Sequence, residues 1–425
     1  MKSIVPPVKG MRDFYPEQMA LRTWLYRTVR AVSESFGYQE WEAPVLESLA
    51  LYAAKSGEEL VKKQSYVFTD RGGDEITLRP ELTPSLARLV AQKQNELVFP
   101  LRWWSFGPFW RYEKMQKGRT REFMQWNIDL LGVNSPEADA ELVAIAAAFL
   151  KRVGLKPDQA RVFVNNRRFM EAEFDRLGFA PEKRLEVSGL VDRRGKMEPE
   201  AWDKYAGELG IVGKQLEGLK ELLEDTERWK KSDELVRLFA VLDALGAADY
   251  VQFDANVMRG LLYYTGTVFE AFDLSGGVRR AILGGGRYDN LLADVGGEPL
   301  SGVGFAMGDV VVSLILQELG LVPPLPAAPS SVLVTVFSEE LWKPSLALAA
   351  QLRAAGLNVT CYPEPAKLPR QFKFADRMGV KAVLVLGPDE AAAGKVTVKD
   401  LVKGTQETIS QAVVGEQIRR ILAGG

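Results

Sequence analysis

Apolar and polar residues alternate along 122–131: Met124, Trp126, Ile128 and Leu130 fall on one side, and Gln125, Asn127 and Asp129 on the other. A second strand-like run, 101–113, precedes it. Between them lies a loop carrying Lys114, Lys117, Gly118, Arg119 and Arg121. As an antiparallel hairpin, the pair would pack its apolar side on a core and turn its polar side into a cleft floor. A basic loop above such a floor suits a polyphosphate beside a small polar molecule. An ordinary half-solvated hairpin with a charged turn has the same pattern.

Around this hairpin the pattern predicts further elements. Residues 10–16 read as a lead-in loop. Leu21, Trp24, Leu25, Thr28, Val29, Val32 and Phe36 recur at helical spacing, and Gly37 is a stop signal. Residues 38–47 read as a strand whose Pro44 belongs at an edge or an interface. The stretch 66–131 reads as antiparallel strands with a helix near 83–95, and 136–152 as an Ala-rich helix. From about 167 to 245, Glu, Lys, Leu and Arg dominate with helical periodicity, as in a helical insertion. Strand character returns at 251–273, a glycine-rich segment follows, and 322–331 reads as a stiff linker. Beyond it, strands at 332–337, 358–362 and 382–386 alternate with helices at 339–355 and 366–378, predicting a small α/β domain with a largely parallel sheet. The expected layout is a core from 1–166 and 246–321, an insertion at 167–245, the linker, and a C-terminal domain at 332–425.

Composition narrows the chemistry. The chain has 425 residues, 47% hydrophobic and 26% charged, as in a soluble protein of two or three domains. It shows no signal-like N-terminal apolar run and no 18-residue apolar stretch, so the expectation is a cytoplasmic protein without a membrane partner. A net charge of −2 leaves polyanion contacts to local basic patches. Histidine is absent, and Cys361 is the single cysteine. That excludes imidazole catalysis, a Cys/His zinc site and an intrachain disulfide. Arg, Lys, carboxylates, hydroxyls, amides and a hard cation held by oxygen ligands remain; no residue is expected to be a dedicated metal ligand.

Three constellations fit that chemistry. In Leu78-Arg-Pro-Glu81-Leu-Thr83, Glu81 is suited either to an α-ammonium group or to helix capping. In Arg259-Gly-Leu-Leu-Tyr263-Tyr264-Thr-Gly-Thr-Val-Phe-Glu270, an arginine before an aromatic strand can grip a carboxylate or phosphate, or form a structural ion pair. Leu283-Gly-Gly-Gly-Arg287-Tyr288-Asp289 and Gly302-Val-Gly-Phe-Ala-Met-Gly308 put glycine into strand-like surroundings, for a closely approaching ligand or for a tight turn. Neither is a Walker loop or a dinucleotide fingerprint.

Over essentially its whole length the chain resembles the histidyl-tRNA synthetase family of class II aminoacyl-tRNA synthetases. Gly10-Met-Arg-Asp-Phe-Tyr-Pro16 resembles the family's opening, residues 21–47 its motif 1, Arg111–Gln125 its motif 2, and 302–314 its motif 3. The RGLLYYTG and LGGGRYD runs are the more specific matches, and 362–376 resembles its anticodon-binding domain. The resemblance implies an α+β catalytic core with an antiparallel sheet and a helical insertion, followed by the C-terminal domain. It implies ligation of L-histidine to tRNA(His) through a histidyl adenylate, with ATP and Mg2+, by a homodimer joined at motif 1. By that similarity Arg111 holds the α-phosphate, Glu113 contacts adenine and Arg119 the distal phosphates. Arg259 bridges the substrate carboxylate and α-phosphate, so Arg259 and Arg111 are the catalytic residues. Glu81, Thr83 and Gln125 take the α-amino group, Asp129 with Tyr263 or Tyr264 reads the imidazole, and Gln116, Lys117 and Arg121 meet tRNA.

The chain also departs from the family. Motif 3 there ends in Gly-x-Glu-Arg, where this chain has Gly308-Asp-Val-Val311; Arg279, Arg280 or Arg287 is expected to compensate. Leu262 and Met124 replace an acidic residue and a histidine or tyrosine. The rival reading is a non-catalytic histidine sensor resembling the regulatory subunit of ATP phosphoribosyltransferase. Such paralogues usually lack the C-terminal domain and the motif 2 arginines that are present here.

Overall fold

The computed structural model describes residues 4–53, 63–258, 263–276, 280–290, 292–326 and 328–423. They form two compact units, Met1–Asp13 with Arg22–Pro323, and Phe14–Leu21 with Pro324–Gly425. In chain order the chain builds α1 (Pro16–Ser35), β1 (Gln39–Glu40), β2 (Leu46–Ser48), α2 (Leu49–Ala53), β3 (Tyr66–Thr69), β4 (Glu75–Leu78), α3 (Thr83–Lys93), β5 (Leu101–Trp110), β6 (Glu122–Leu131), α4 (Pro136–Arg152) and β7 (Ala160–Asn166). Helices α5 (Arg167–Arg176), α6 (Arg184–Arg193), α7 (Pro199–Glu208), α8 (Lys214–Glu224) and α9 (Asp233–Ala244) follow, then β8 (Val251–Phe253), β9 (Thr267–Asp273), β10 (Arg280–Tyr288), β11 (Gly302–Gly308) and α10 (Asp309–Glu318).

The first unit is organised on an eight-stranded sheet in the order β1-β5-β6-β11-β10-β9-β7-β8. It is antiparallel except at its outer pairs, β1 with β5 and β7 with β8. The alternation in β6 sorts its faces as expected. Trp126 is fully buried against Phe149 of α4 and Phe305 of β11, with ring centroids 5.5 and 4.8 Å away. Helix α4 starts at Pro136 because Ser135 caps it, accepting from the Ala138 N–H. Its alanines let it lie close on the sheet, and the buried leucines of α6, α8 and α9 continue the same core. On that face the Arg287 guanidinium donates through Nε and Nη2 to Asp139 Oδ1 at 2.9 and 2.6 Å, and through Nη1 to the Val133 carbonyl at 3.0 Å. Both residues are buried, so a paired charge fixes β10 to the start of α4.

Three expected elements differ. The run 38–47 is broken: β1 joins the large sheet, while β2 enters a separate sheet ordered β2-β4-β3. Pro44 has no N–H for a ladder, and the flanking Ala43 and Val45 carbonyls instead accept from Arg79, from Nη1 and from its backbone N–H. β5 ends at Trp110 rather than 113, because Tyr112 turns its N–H to the Gln64 carbonyl. The run 251–273 is interrupted after Phe253, where Asn165 Nδ2 donates to the Ala255 and Val257 carbonyls. Tyr263 and Tyr264 therefore precede β9 instead of lying in a strand.

The second unit contains β12 (Val332–Val334), α11 (Trp342–Ala354), β13 (Val359–Cys361), α12 (Leu368–Arg377), β14 (Ala382–Val385), α13 (Pro388–Ala392), β15 (Lys395–Asp400), β16 (Thr405–Ser410) and α14 (Val414–Ala423). Its sheet runs β13-β12-β14-β15-β16. The first three strands are parallel, as expected, and β15 and β16 add an antiparallel hairpin that the apolar pattern did not reveal. Most of β16 is exposed and polar. The turn is closed by Asp400 Oδ1, which accepts from the Val402 and Lys403 N–H groups, and by Gly404 at φ 70°.

Arg287→Leu should destabilise the first unit by about 3–5 kcal/mol, because it leaves Asp139 as an unpaired buried charge. Pairing it with Asp139→Leu should recover much of that loss in urea unfolding followed by tryptophan fluorescence.

Candidate active site

The face of the large sheet opposite α4 has few side chains at its centre. Alternation puts Gly302, Gly304, Ala306 and Gly308 of β11 there, beside Gly284, Gly286 and Tyr288 of β10, with Gly286 opposite Gly304. On one flank, Gln125, Asn127 and Asp129 of β6 stand opposite Gly308, Ala306 and Gly304. On the other, Glu270 and Val268 of β9 stand opposite Gly284 and Gly286. The result is a backbone-lined floor between polar walls, the arrangement a closely approaching ligand needs. One end is apolar, where Leu131, Val268, Tyr264 and Tyr288 pack with Leu86 and Val90 of α3.

Neighbouring side chains lean into the space the glycines vacate. A Cβ on Gly304 would overlap Asp129 Oδ1; one on Gly302 would sit 2.5 Å from Tyr288 Cε2, and one on Gly286 2.8 Å from Tyr264 Cδ1. The tyrosine segment is pinned by its backbone. Arg167 Nη1 donates to the Tyr264 carbonyl at 3.0 Å, and the Thr265 N–H donates to the Arg287 carbonyl at 2.8 Å. Arg259, the arginine singled out in the sequence, lies outside the described residues.

The basic hairpin loop meets the 78–83 segment. Arg111 Nε donates to the Pro80 carbonyl at 2.9 Å, which brings Arg111 beside the strand-to-helix turn carrying Glu81 and Thr83. Thr83 is the first residue of α3. Glu113 pairs with Arg119 at 3.2 Å, and Lys117 with Glu318 at 3.1 Å. Gln116 and Arg119 form an isolated bridge around Gly118, whose φ of 87° closes the turn. Arg121 lies 3.7 Å over the Tyr112 ring, with Nε donating to the Glu113 carbonyl at 3.3 Å.

Known proteins share this fold. The profile of the family described as histidyl-tRNA synthetase matches residues 10–309, and that of the anticodon binding domain matches residues 331–421. The chain belongs to the histidyl-tRNA synthetase family. It is 38% identical to the chloroplastic/mitochondrial histidine–tRNA ligase of Arabidopsis thaliana, over 95% of this chain and 84% of that protein. It is 35% identical to histidine–tRNA ligase of Leptospira biflexa, over 98% and 97%. The crystal structure of histidyl-tRNA synthetase from Nostoc sp. PCC 7120 superposes with a TM-score of 0.78 at 28% identity, covering 99% of each chain.

Against the family pattern, the motif 3 departure has a structural consequence. Val311, at the arginine position, packs toward the hairpin loop; a Cβ on Gly118 would lie 3.3 Å from Val311 Cγ2. Two of the three expected substitutes are committed elsewhere. Arg287 is held by Asp139 on the opposite face, so it does not compensate, and Arg280 donates to Asp273 at 2.5 Å and to Glu318 at 2.8 Å. Arg279 lies outside the described residues. A cation does reach motif 3 from the opening segment: Arg12 Nη2 pairs with Asp309 Oδ2 at 3.0 Å, and Asp309 Oδ1 accepts the Met124 N–H.

Two polar residues without an expected role also belong to this face of the sheet. Gln125 Nε2 donates to Asn127 Oδ1 at 2.8 Å, which aligns the two amides along β6. Tyr288 donates its hydroxyl to Asp129 Oδ1. Period-2 counting through GGGRYD does place Tyr288 on the same face as Gly286, but its distance from Asp129 depends on the order of strands. Asp129 is buried, which pushes its carboxyl up to about 7, with the Tyr288 hydrogen bond pulling back down. A carboxyl raised in the folded state disfavours folding increasingly as pH rises from its unfolded value to its folded one. Asp129→Asn should therefore raise the melting temperature, with a gain that grows between about pH 4 and 7 and then levels off. Calorimetry across that range checks it.

Proposed function

We propose that this glycine-floored face binds L-histidine and ATP and joins them as histidyl adenylate, and that the chain then transfers the histidyl group to tRNA(His). The activity is that of a histidine–tRNA ligase, a class II aminoacyl-tRNA synthetase, as in the relatives that match nearly the full chain. The observation that carries the placement is the row Gln125-Asn127-Asp129, which faces Gly308, Ala306 and Gly304 of β11, with open space over Gly308. The retained 331–421 match supports the ligase over the histidine-sensing paralogue.

In this reading the substrate carboxylate, already an anion, attacks the α-phosphorus of ATP, and the bond to pyrophosphate breaks. No enzymic base is required, which suits a chain without histidine. Positioning and charge stabilisation supply the acceleration. Arg111 and Arg259 stabilise the α-phosphate, with Arg259 also holding the carboxylate. Glu113 takes the adenine, and Arg119, released from Glu113, turns to the distal phosphates. Glu81, Thr83 and Gln125 hold the α-ammonium group. Asp129, with Tyr263 and Tyr264, reads the imidazole, and Gln116, Lys117 and Arg121 face the tRNA acceptor end. Among the described residues no group of three or more Asp, Glu or Cys is arranged to hold an ion. Mg2+ enters with the ATP substrate, on phosphate oxygens.

The core is 1–166 with 246–321, 167–245 inserts into it, and 332–425, after the 322–331 linker, contributes anticodon contacts. A homodimer forms around Pro44, where Leu46, Val67 and Phe68 of the small sheet are 50%, 40% and 47% exposed. No helix among the described residues is long and apolar enough to cross a membrane, and we place the enzyme in the cytoplasm.

ATP–pyrophosphate exchange with each amino acid in turn should proceed with histidine alone. Arg111→Ala should reduce that exchange by at least two orders of magnitude while histidine binding, read by calorimetry, stays within a few-fold. Exchange with another amino acid, or undiminished exchange in the variant, contradicts the assignment.

A further inference from the structure

We propose that Tyr288 is a positioning residue for histidine selection: from β10 its hydroxyl reaches across β11 to hold the Asp129 carboxyl of β6 where it accepts an imidazole N–H. The proposal rests on the histidine reading above and adds to it a residue that contacts the ligand only through Asp129.

The geometry makes this bridge possible. β10 and β6 are not neighbours, since β11 runs between them, so any ordinary side chain on this face of β11 would block a contact. The two β11 residues beneath the bridge are both glycine. Tyr288 stands opposite Gly302 and fills the space of its missing Cβ, and Asp129 stands opposite Gly304 and fills that one. Tyr288 and Asp129 are both buried, and the hydroxyl donates to Oδ1. Among the described residues Tyr288 is the only side-chain partner of Asp129, which leaves Oδ2 for a ligand donor.

The bond also sets the charge of the acceptor. Burial drives Asp129 toward its neutral form, and the tyrosine hydroxyl opposes that by stabilising the carboxylate. Burial and the adjacent carboxylate raise the Tyr288 phenol well above its ordinary value, so it stays a donor throughout the working range. Among the described residues, β11 puts no titratable group under Asp129, and β5 puts Trp103 opposite it. Tyr263 and Tyr264 adjoin Tyr288. Tyr38, bonded to Glu141 beside Arg102, senses the Asp129 charge from before β1. The apolar residues of α3 and Leu131 complete the surroundings. A neutral Asp129 keeps its proton on one oxygen and is the poorer acceptor for an imidazole N–H.

The test is Tyr288→Phe in the full chain, with histidine and ATP KM values for pyrophosphate exchange measured from pH 6 to 9. Phenylalanine keeps the ring over Gly302 and removes only the hydroxyl. The acid limb of the histidine profile should move up by about one pH unit, so that histidine KM rises roughly tenfold near pH 6.5 and stays within threefold of the parent at pH 8.5. ATP KM should be unchanged at every pH. Free histidine titrates identically in both assays, so the difference between profiles reports the protein. An unshifted Tyr288→Phe profile, or equal losses for histidine and ATP, overturns the proposal. Failure of the parent to exchange with histidine would instead overturn the functional reading.

Discussion

A small molecule can lie against the backbone of a sheet only where that face carries no side chains, and this constraint organises the first unit. Gly284, Gly286, Gly302, Gly304 and Gly308 put no side chain of their own on one face of β10 and β11, and Tyr264, Tyr288 and Asp129 lean over three of them while Gly308 stays open. Glycine in place of alanine weakens an element by roughly 0.5–1 kcal/mol per position. The same two strands recover order through their other face. There Phe305 packs on Trp126 and Phe269, Leu283 and Met307 join the core, and Arg287 closes on Asp139. One period-2 pattern therefore serves two ends, a rigid buried face and an open one.

The walls of the floor divide the proposed chemistry. At the apolar end, burial keeps Asp129 close to its titration point and tyrosines surround it, which suits discrimination of a ring bearing N–H groups. At the other, Arg111, Glu113 and Arg119 are positioned by the hairpin and by the Pro80 carbonyl. In the free chain the loop cations already hold carboxylate partners: Arg119 with Glu113, Lys117 with Glu318. In the proposed reaction a polyphosphate exchanges those pairs for phosphate oxygens, and because both cations are exposed the exchange costs little. The family's motif 3 arginine is absent, and an apolar contact between Val311 and the loop replaces it.

The sequence was most legible where periodicity is local. The faces of β6, the length of α4, the helical stretch after β7 and the parallel strands of the second unit all follow from short-range patterns. What depended on long-range register was not legible. Tyr288 looks like one more aromatic in a strand until β11 is placed between it and Asp129. Arg287 looked free to assist ATP, but its neighbour across the fold is the buried Asp139. The break at Pro44 reflects the demands of Arg79, a residue far along the chain that claims the local carbonyls. The β15–β16 hairpin escaped because an exposed strand such as Thr405–Ser410 carries almost no apolar signal.

The central claim is that ligands lie on the floor formed by β6, β11, β10 and β9. A crystal structure of the full chain with histidine and a non-hydrolysable ATP analogue tests it most directly. The account predicts density on that face against Asp129 and Tyr264, with an imidazole nitrogen within hydrogen-bond distance of Asp129 and phosphates beside Arg111. Ligand bound away from that face, or an imidazole with no contact to Asp129, would contradict it.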